Sequence, residues 1–225
     1  HDLVLRQRVA VDVNAFDIDA RGFGDTEGDR HGQVFLVARE VRANVGKGIA
    51  ERVCGFGQGI DLILANRDFF QANEVRLVLL GSGDRRLEEE VRALVREAPA
   101  KVHFSPRLDE AMSHLIEAGS DFFLMPSVFE PCGLNQMYSM AYATLPIVRA
   151  TGGLADTVAP WDGEKQGTGV VFTHADAAGV EWGLRRALEL YAQPKKFAAV
   201  RREALRQDFS WRRSAEEHLR RYASA

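Results

Sequence analysis

The sequence predicts an α/β fold, in which a Rossmann-like parallel sheet carries helices on both faces. Short apolar runs of strand type alternate along the chain with segments whose apolar residues recur at helical spacing. Glycine-bearing turns follow several of these runs. Strands and helices that alternate in this way build a doubly wound parallel sheet, and its ligands lie at the carboxyl ends of the strands.

Six apolar runs are the predicted strands. Strands of a parallel sheet covered by helices are buried on both faces, so they read as continuous apolar segments. The runs are residues 34–38, 75–80, 101–104, 122–125, 145–148 and 169–172. Gly81, Glu130 and Thr151 follow the carboxyl ends of three of them, which predicts a site at that edge of the sheet.

The segments between these runs predict the helices. Pro99 is a stop signal after the first of them, and Asp109 can cap the second. Two helices are expected after the last strand. The predicted helices are residues 87–95, 109–119 and 134–143, a short segment near Leu154, residues 180–191, and a last helix that begins near Ser210 and is capped by its hydroxyl.

One domain is the simplest count for 225 residues. Residues 1–32 lack helical or strand periodicity and include a polar, glycine-rich segment at 21–30. We interpret them as a poorly ordered or diverged amino-terminal arm, and residues 33–225 as the Rossmann-like domain. The chain starts at His1 without a Met or a signal-peptide pattern, so we expect it to begin within a longer one.

Charge and cysteine content exclude several classes of protein. A net charge of −3 gives no general attraction to nucleic acid or to an anionic membrane, so a phosphate site must be local. No apolar run approaches the roughly 18 residues of a membrane span. Cys54 and Cys132 are too few for a disulfide framework or a zinc quartet, which favours a reduced, cytosolic setting. The six histidines have no metal-ligand spacing, and we expect no metal or other cofactor.

Residues 126–158 hold the pattern that indicates chemistry. Glu130 follows a predicted strand and precedes Pro131, which keeps it out of a helix interior. About twenty residues later, Thr151-Gly152-Gly153 opens a short helix, and such turns bring N–H groups close to an anion. Together they indicate a site for a phosphorylated sugar. The alternative for Glu130 is an acid that the helix dipole favours, and the alternative for Thr151-Gly152-Gly153 is an ordinary glycine turn.

Two motifs within this stretch carry a family resemblance. They are Phe129-Glu130-Pro131-Cys132-Gly133-Leu134, followed by Gln136 and Tyr138, and Thr151-Gly152-Gly153-Leu154-Ala155-Asp156-Thr157-Val158. The chain resembles the bacterial glycogen synthase and plant starch synthase family, retaining glycosyltransferases that use a nucleotide sugar. The resemblance runs with gaps over residues 61–222, and it implies the carboxyl-terminal, donor-binding half of a GT-B fold.

The resemblance also implies roles for the matching residues. Glu130 is implied to accept hydrogen bonds from hydroxyl groups of the donor glucose and to stabilise the developing positive charge. Cys132 is assigned no covalent role. The turn at Thr151 is implied to bind the distal phosphate through N–H groups and a hydroxyl. The implied donor-binding residues are Cys132, Gly133, Leu134, Thr151, Gly152, Gly153 and Leu154.

The family also uses an Arg and a Lys, five positions apart and ahead of a Gly, to neutralise the departing diphosphate. Arg42 and Lys47 have that spacing and are the candidates. Arg39 is a rival for the Arg. The acid that follows in the family appears at Asp61, which would put Gln58 at the Lys position and Gly59 at the Gly position. The remaining alternative is that Arg42 and Lys47 are solvated basic residues with no role in the site.

The sequence therefore predicts a glucosyltransferase domain of glycogen or starch synthesis that binds ADP-glucose and supports transfer of glucose to the non-reducing end of an α-1,4-glucan. The family's amino-terminal, acceptor-binding domain has no counterpart here, so we expect the chain alone to be inactive. The expected location is the cytoplasm, or the plastid stroma in a plant.

Several alternatives stay open at this point. Leu108 stands where the family has an aromatic residue that stacks on adenine, and ADP-glucose and UDP-glucose are not distinguished. A non-catalytic scaffold, a fragment or degenerate relative of the family, is the main alternative function. A dinucleotide oxidoreductase is disfavoured, because no Gly-x-Gly-x-x-Gly turn follows the first strand.

Overall fold

One sheet of six strands organises the part of the chain that the structure describes. The computed structural model describes residues 59–106 and 110–223, and of residues 34–39 the backbone. The strands are β1 Val34–Arg39, β2 Val75–Leu80, β3 Val102–Ser105, β4 Phe122–Met125, β5 Leu145–Arg149 and β6 Val170–Phe172. All six strands that the sequence predicts are present, with ends that differ by one residue at most.

The strand order is β3-β2-β1-β4-β5-β6, and every neighbouring pair is parallel. The chain extends the sheet in one direction from β1 to β3, and in the opposite direction from β4 to β6. In such a sheet the ligand crevice lies where the order reverses, beyond the carboxyl ends of the two central strands. Here those strands are β1 and β4, so the loop after β4 borders the crevice.

Nine helices lie within the described residues. They are α1 Ile60–Leu64, α2 Arg67–Ala72, α3 Arg85–Glu97, α4 Glu110–Gly119, α5 Asn135–Ala141, α6 Gly152–Thr157, α7 Ala177–Tyr191, α8 Pro194–Leu205 and α9 Trp211–Ala223. Side-chain caps fix three of their starts. The Asp176 carboxylate accepts the Gly179 N–H at 2.7 Å at the start of α7. The Ser210 hydroxyl accepts the Arg213 N–H at 3.5 Å, which confirms the predicted cap of α9.

The core lies between the central strands and the helices that cover them. All four residues of β4 are buried, as are the first four of β5. Phe122, Phe123 and Leu145 have no exposed surface at all. Complete burial of each such side chain contributes about 1.5–3 kcal/mol. The strands that precede the candidate site are therefore firmly held in the core.

Three helices follow β6, so the prediction of two was wrong. The unpredicted helix is α8, which buries Phe197, Val200 and Ala204 along one face. The Phe197 ring centroid lies 5.4 Å from that of Phe122 and 5.3 Å from that of Tyr191, which ties α8 to the core. Pro194, at its first position, is a common start signal that sequence reasoning did not use. Helices α1 and α2 were also not predicted.

Helix α9 differs from the other long helices because none of its residues is buried. Trp211 is 88% exposed and Tyr222 is 75% exposed. Among the residues with described positions, no helix combines the length and apolar character that crossing a bilayer requires.

Candidate functional site

The loop that follows β4, residues 126–134, is anchored at its start by an arginine from the neighbouring strand. Arg149, the last residue of β5, donates from Nε to the Ser127 carbonyl at 2.8 Å and from Nη2 to the Val128 carbonyl. Ser127 is fully buried, whereas Val128 is 42% and Phe129 65% exposed. The loop therefore leaves the sheet under the control of Arg149 and turns outward just ahead of Glu130.

Glu130 lies at the surface of this loop with its side chain partly buried. Burial raises the pKa of its carboxyl group, while hydrogen bonds from the backbone N–H groups of Cys132 and Gly133 oppose that rise. No Lys or Arg of the described residues forms an ion pair with it. The carboxylate is thus held by the loop's own amides and remains reachable from solvent.

The turn that follows β5, here called the Thr151 turn, packs directly on the loop at residues 126–134, here called the Glu130 loop. The Gly153 N–H donates to the Glu130 carbonyl at 3.0 Å, which joins the two segments by their backbones. A Cβ atom on Gly152 would overlap the Glu130 carbonyl oxygen, and one on Gly153 would overlap the Cys132 carbonyl oxygen. Both positions therefore require glycine for close approach. The structure brings together the two segments in which the sequence predicts the site.

The amides of this turn are less available than the sequence suggests. Thr151 N–H donates to the Arg149 carbonyl at 2.9 Å, and Leu154 N–H donates to the Thr151 carbonyl at 3.1 Å. Because Gly153 N–H is also bonded, the Gly152 N–H is the only amide of Thr151–Leu154 without a backbone acceptor in the described chain. The Thr151 hydroxyl makes no capping hydrogen bond to α6. An anion can thus meet one free amide and one hydroxyl here, rather than a full ring of amides.

The other predicted donor-binding residues divide into exposed and buried ones. Cys132 is a free, exposed cysteine whose Sγ lies 3.7 Å from the Gly133 carbonyl oxygen. Leu134 is 53% exposed beside it. The Leu154 side chain is fully buried, so this residue supports the turn from below. A side-chain contact of Leu154 with a ligand does not fit this geometry.

Gly59 lies at the same edge of the sheet as the Glu130 loop. It precedes α1 with a φ of +74°, and a Cβ atom there would overlap the Pro126 carbonyl oxygen. This close contact with the loop after β4 requires glycine at the start of α1. Arg42, Lys47 and Gln58 lie outside the described residues, as does Leu108, and so does the predicted arm at 1–32.

The carboxyl ends of β2 and β3 form a second feature along this edge. The Asp84 carboxylate accepts the N–H groups of Arg86 and Leu87 at 2.9 and 3.1 Å, and the Glu88 carboxylate accepts the Gly83 N–H at 3.0 Å. The turn Gly81–Asp84 therefore serves to start α3. Next to it is a small crevice of about 20 Å³, room for no more than a water molecule or two, with mainly apolar walls from Ile60, Leu79, Leu80, Leu87, Val91 and Phe104.

Two polar side chains at the site have no role in the sequence-based prediction. Gln136 is fully buried beneath the Glu130 loop, and Thr157 lies at the end of α6. Each follows its glycine turn by one helical turn, and each reaches back to a carbonyl four residues earlier, Cys132 and Gly153 respectively. Their position inside the two motifs that carry the family resemblance was the signal that could have found them.

His114 packs against aromatic rings on α5. Its ring centroid lies 6.2 Å from that of Tyr138 and 5.9 Å from that of Tyr142. These contacts identify His114 as a packing residue. Within residues 59–106 and 110–223, no group of three or more His, Cys, Asp or Glu residues is placed to hold a metal ion.

A parallel, doubly wound sheet of this order, with two loops in contact at its ligand edge, is the architecture of one half of a GT-B glycosyltransferase. The sequence profile described as "Glycosyl transferases group 1" matches residues 58–204, which is more than half of the chain. The chain belongs to this family.

Curated relatives narrow the comparison. The chain is 48% identical over 166 residues to a glycogen synthase of Opitutus terrae, covering 73% of this chain and 34% of the relative. It is 44% identical over 167 residues to a glycogen synthase of Rhodospirillum rubrum, covering 74% and 34%. The chain thus spans about a third of the length of these relatives.

Solved structures agree with the fold. The catalytic domain of starch synthase IV from Arabidopsis thaliana, bound to ADP and acarbose, superposes with a TM-score of 0.69 at 30% identity, covering 88% of this chain and 39% of that one. A sucrose-phosphate synthase from Thermosynechococcus elongatus gives a TM-score of 0.60 at 22% identity, covering 92% and 49%, and it supports the fold alone.

Proposed function

We propose that this chain is the donor-binding domain of a glycogen or starch synthase, which transfers glucose from ADP-glucose to the non-reducing end of an α-1,4-glucan. The observation that carries the proposal is the backbone contact between the Glu130 loop and the Thr151 turn, at 3.0 Å. It gathers an accessible carboxylate, a free amide and a hydroxyl at one edge. The glycogen synthases among the relatives and the ADP-bound starch synthase support the choice of donor and product.

In this proposal Glu130 exchanges its partners when the donor binds. Its carboxylate moves from the N–H groups of Cys132 and Gly133 to hydroxyl groups of the donor glucose. The freed amides of the loop then face the donor, and the ionised carboxylate stabilises positive charge that develops on the sugar ring. The Gly152 N–H and the Thr151 hydroxyl bind the distal phosphate.

We propose that the base of the nucleotide lies against the surface at the carboxyl ends of β2 and β3. Strands β2 and β4 are separated by β1 alone, so their carboxyl ends are about 10 Å apart. A ribose and a diphosphate can span that distance. The partly buried Phe104 ring, on β3, would pack on the base.

The remaining parts of the proposal concern charge and partners. Arg42 and Lys47 stay the candidates that neutralise the departing diphosphate, and we propose that donor binding uses no metal ion or other cofactor. The glucan acceptor would be bound by an amino-terminal domain, so the chain alone would not complete the transfer. We propose the cytoplasm as its location, which cell fractionation would test.

Calorimetry on the 225-residue chain tests donor binding. We expect ADP-glucose to bind more tightly than UDP-glucose, with and without EDTA. Glu130→Ala should weaken the binding of ADP-glucose by about tenfold, which is the equivalent of one hydrogen bond to a charged group. The binding of ADP should not change, because only the sugar contacts Glu130. Glu74→Ala is the matched control, since Glu74 lies at the opposite edge of the sheet and pairs with Lys101.

Two outcomes would contradict the proposal. No heat with ADP or ADP-glucose at millimolar concentration would remove the donor site. An equal loss of affinity for ADP and for ADP-glucose in Glu130→Ala would show that Glu130 does not contact the sugar specifically. Glucan incorporation by a full-length parent, with and without Glu130→Ala, then separates an enzyme from a scaffold, because a scaffold has no activity to lose.

A further inference from the structure

A chain of hydrogen bonds beneath the two loops connects α5 to α6. Gln136 Nε2 donates to the Gly133 carbonyl at 3.0 Å and to Thr157 Oγ1 at 3.0 Å. The Thr157 hydroxyl in turn donates to the Gly153 carbonyl at 2.6 Å. Gly153 N–H donates to the Glu130 carbonyl at 3.0 Å, which returns the connection to the loop from which α5 begins.

The direction of each bond in this connection is fixed by chemistry. The Gly153 carbonyl can only accept, so the Thr157 hydroxyl must donate its single proton to it. Thr157 Oγ1 then accepts from Gln136, which must present its NH₂ side. The two carbonyls beside Gln136, those of Cys132 and Gly133, also require a donor. A side chain of similar size without an NH₂ group cannot replace Gln136, and one without a hydroxyl cannot replace Thr157.

Burial makes these bonds costly to lose. Gln136 has no exposed surface, and its Oε1 accepts no hydrogen bond from the described residues. The side chain therefore tolerates an unpaired acceptor in order to place its NH₂ group among three acceptors. A residue that served only to fill space would not require this arrangement, and an apolar side chain would fill the same volume without the unpaired oxygen.

We propose that Gln136 and Thr157 are positioning residues that fix the separation between the Glu130 loop and the Thr151 turn. They thereby fix the geometry in which the phosphate and the sugar of the donor are held. Neither residue touches the ligand. Both act through backbone carbonyls of the segments that do. This inference rests on the proposed donor site, and it adds the side chains that hold the two segments of that site at a fixed separation.

Thr157→Val and Thr157→Ser form the decisive pair of variants. Valine keeps the shape and removes the hydroxyl, whereas serine keeps the hydroxyl. We expect Thr157→Val to raise the ADP Kd, measured by calorimetry well below the unfolding temperature, by about tenfold, the cost of a displaced binding group. Thr157→Ser should stay within about twofold of wild type. Equal Kd values for wild type and Thr157→Val, or a Ser variant as weak as Val, would overturn the positioning role.

Thr144→Val is the matched control for a general loss of stability. Thr144 is fully buried, and its hydroxyl donates to the Glu117 and Ser120 carbonyls at 2.5 and 3.1 Å, close to the start of β5 and away from the site. We expect it to lower the unfolding temperature without changing the ADP Kd. If Thr144→Val weakens ADP as much as Thr157→Val does, the effect is one of stability and the proposal fails.

Amide exchange gives a readout that needs no ligand. In Thr157→Val the Gly153 N–H should exchange about ten times faster, while core amides such as Leu124 keep their rates. If wild type binds no ADP, the proposed function fails, and the exchange measurement still decides whether Thr157 fixes the turn. Unchanged exchange at Gly153 would overturn the positioning role by itself.

Discussion

Two glycine turns, one after β2 and one after β5, occupy equivalent places at the same edge of the sheet, yet they bond differently. In the turn at Gly81–Asp84, the Gly81 N–H continues the sheet by donating to the Ser105 carbonyl, and the carboxylates of Asp84 and Glu88 bond the turn to the start of α3. The turn at Thr151–Gly153 bonds across to another loop, through the Gly153 N–H and the Glu130 carbonyl. The second turn therefore builds a surface together with another loop, whereas the first turn continues a strand and caps a helix.

The difference shows what separates a structural turn from a binding turn in this fold. Any strand-to-helix connection requires small residues and a cap, so a glycine pair alone carries little information. A binding turn must also be held against a second segment with room for nothing larger than glycine, as at Gly152 and Gly153. Four substitutions break or sharpen this comparison, and they are ordered by expected effect.

Gly153→Ala should have the largest effect. The added Cβ would overlap the Cys132 carbonyl oxygen, so the loop or the turn must shift. We expect a loss of about 1–3 kcal/mol in the free energy of unfolding, measured with urea, together with weaker ADP binding. Gly83→Ala is the control at the other turn and should cost less than about 1 kcal/mol. Equal losses at Gly153 and Gly83 would remove the distinction between the two turns.

Arg149→Met should have the next largest effect. The variant loses the hydrogen bonds from the guanidinium to the Ser127 and Val128 carbonyls, which hold the start of the Glu130 loop. A loss of about 1.5 kcal/mol in unfolding free energy is expected. Arg149→Lys keeps the charge but reaches only one carbonyl, so it should recover part of this loss. Full recovery by lysine would mean that charge, rather than the two-carbonyl geometry, is what matters.

Asp84→Ala tests the structural turn. The N–H groups of Arg86 and Leu87 lose their acceptor, so we expect a loss of about 1 kcal/mol in unfolding free energy. The ADP Kd should change by less than about twofold, since the cap makes no contact with the proposed phosphate site. A tenfold weaker Kd would show that the Gly81–Asp84 turn also takes part in ligand binding. Asp84→Asn, which retains a cap acceptor, is the control.

The sheet was predictable because parallel strands buried on both sides read as apolar runs. Residues 122–125 are an example, and all four are buried. Helix α8 was missed although Pro194 marks its start and Phe197, Val200 and Ala204 recur along one face. Its position against Phe122, 75 residues earlier, depends on tertiary packing, which the sequence does not state.

The location of the site was predictable, but its internal bonding was not. Glu130 and Thr151 lie at the ends of neighbouring strands, as their positions in the sequence imply. The bond between Gln136 and Thr157 joins residues 21 positions apart, and no local pattern specifies it. The N–H groups of the Thr151-Gly152-Gly153 turn were expected to face a ligand, and those of Thr151 and Gly153 instead bond within the chain. Which donors remain free depends on how two loops meet, and that requires coordinates.

Glu130→Gln should have the smallest effect on stability, and its sign is informative. Burial raises the pKa of Glu130 above 4.5, its ordinary value, so the wild-type fold loses stability as the pH rises through that raised pKa. Glutamine cannot ionise and escapes this loss. The variant should therefore unfold at a slightly higher temperature at pH 7, and the difference should disappear below pH 4.5.

The same variant should bind ADP-glucose more weakly at pH 7, because it lacks the charge that faces the sugar. For wild type, acidification through the raised pKa should weaken ADP-glucose binding, whereas binding to the variant should not change with pH in that range. A gain in stability combined with a loss in binding identifies a residue retained for function at a cost to the fold. If Glu130→Gln lowers both the stability and the affinity for ADP-glucose, the carboxylate is a structural acceptor for the Cys132 and Gly133 amides. The two turns then differ in packing alone.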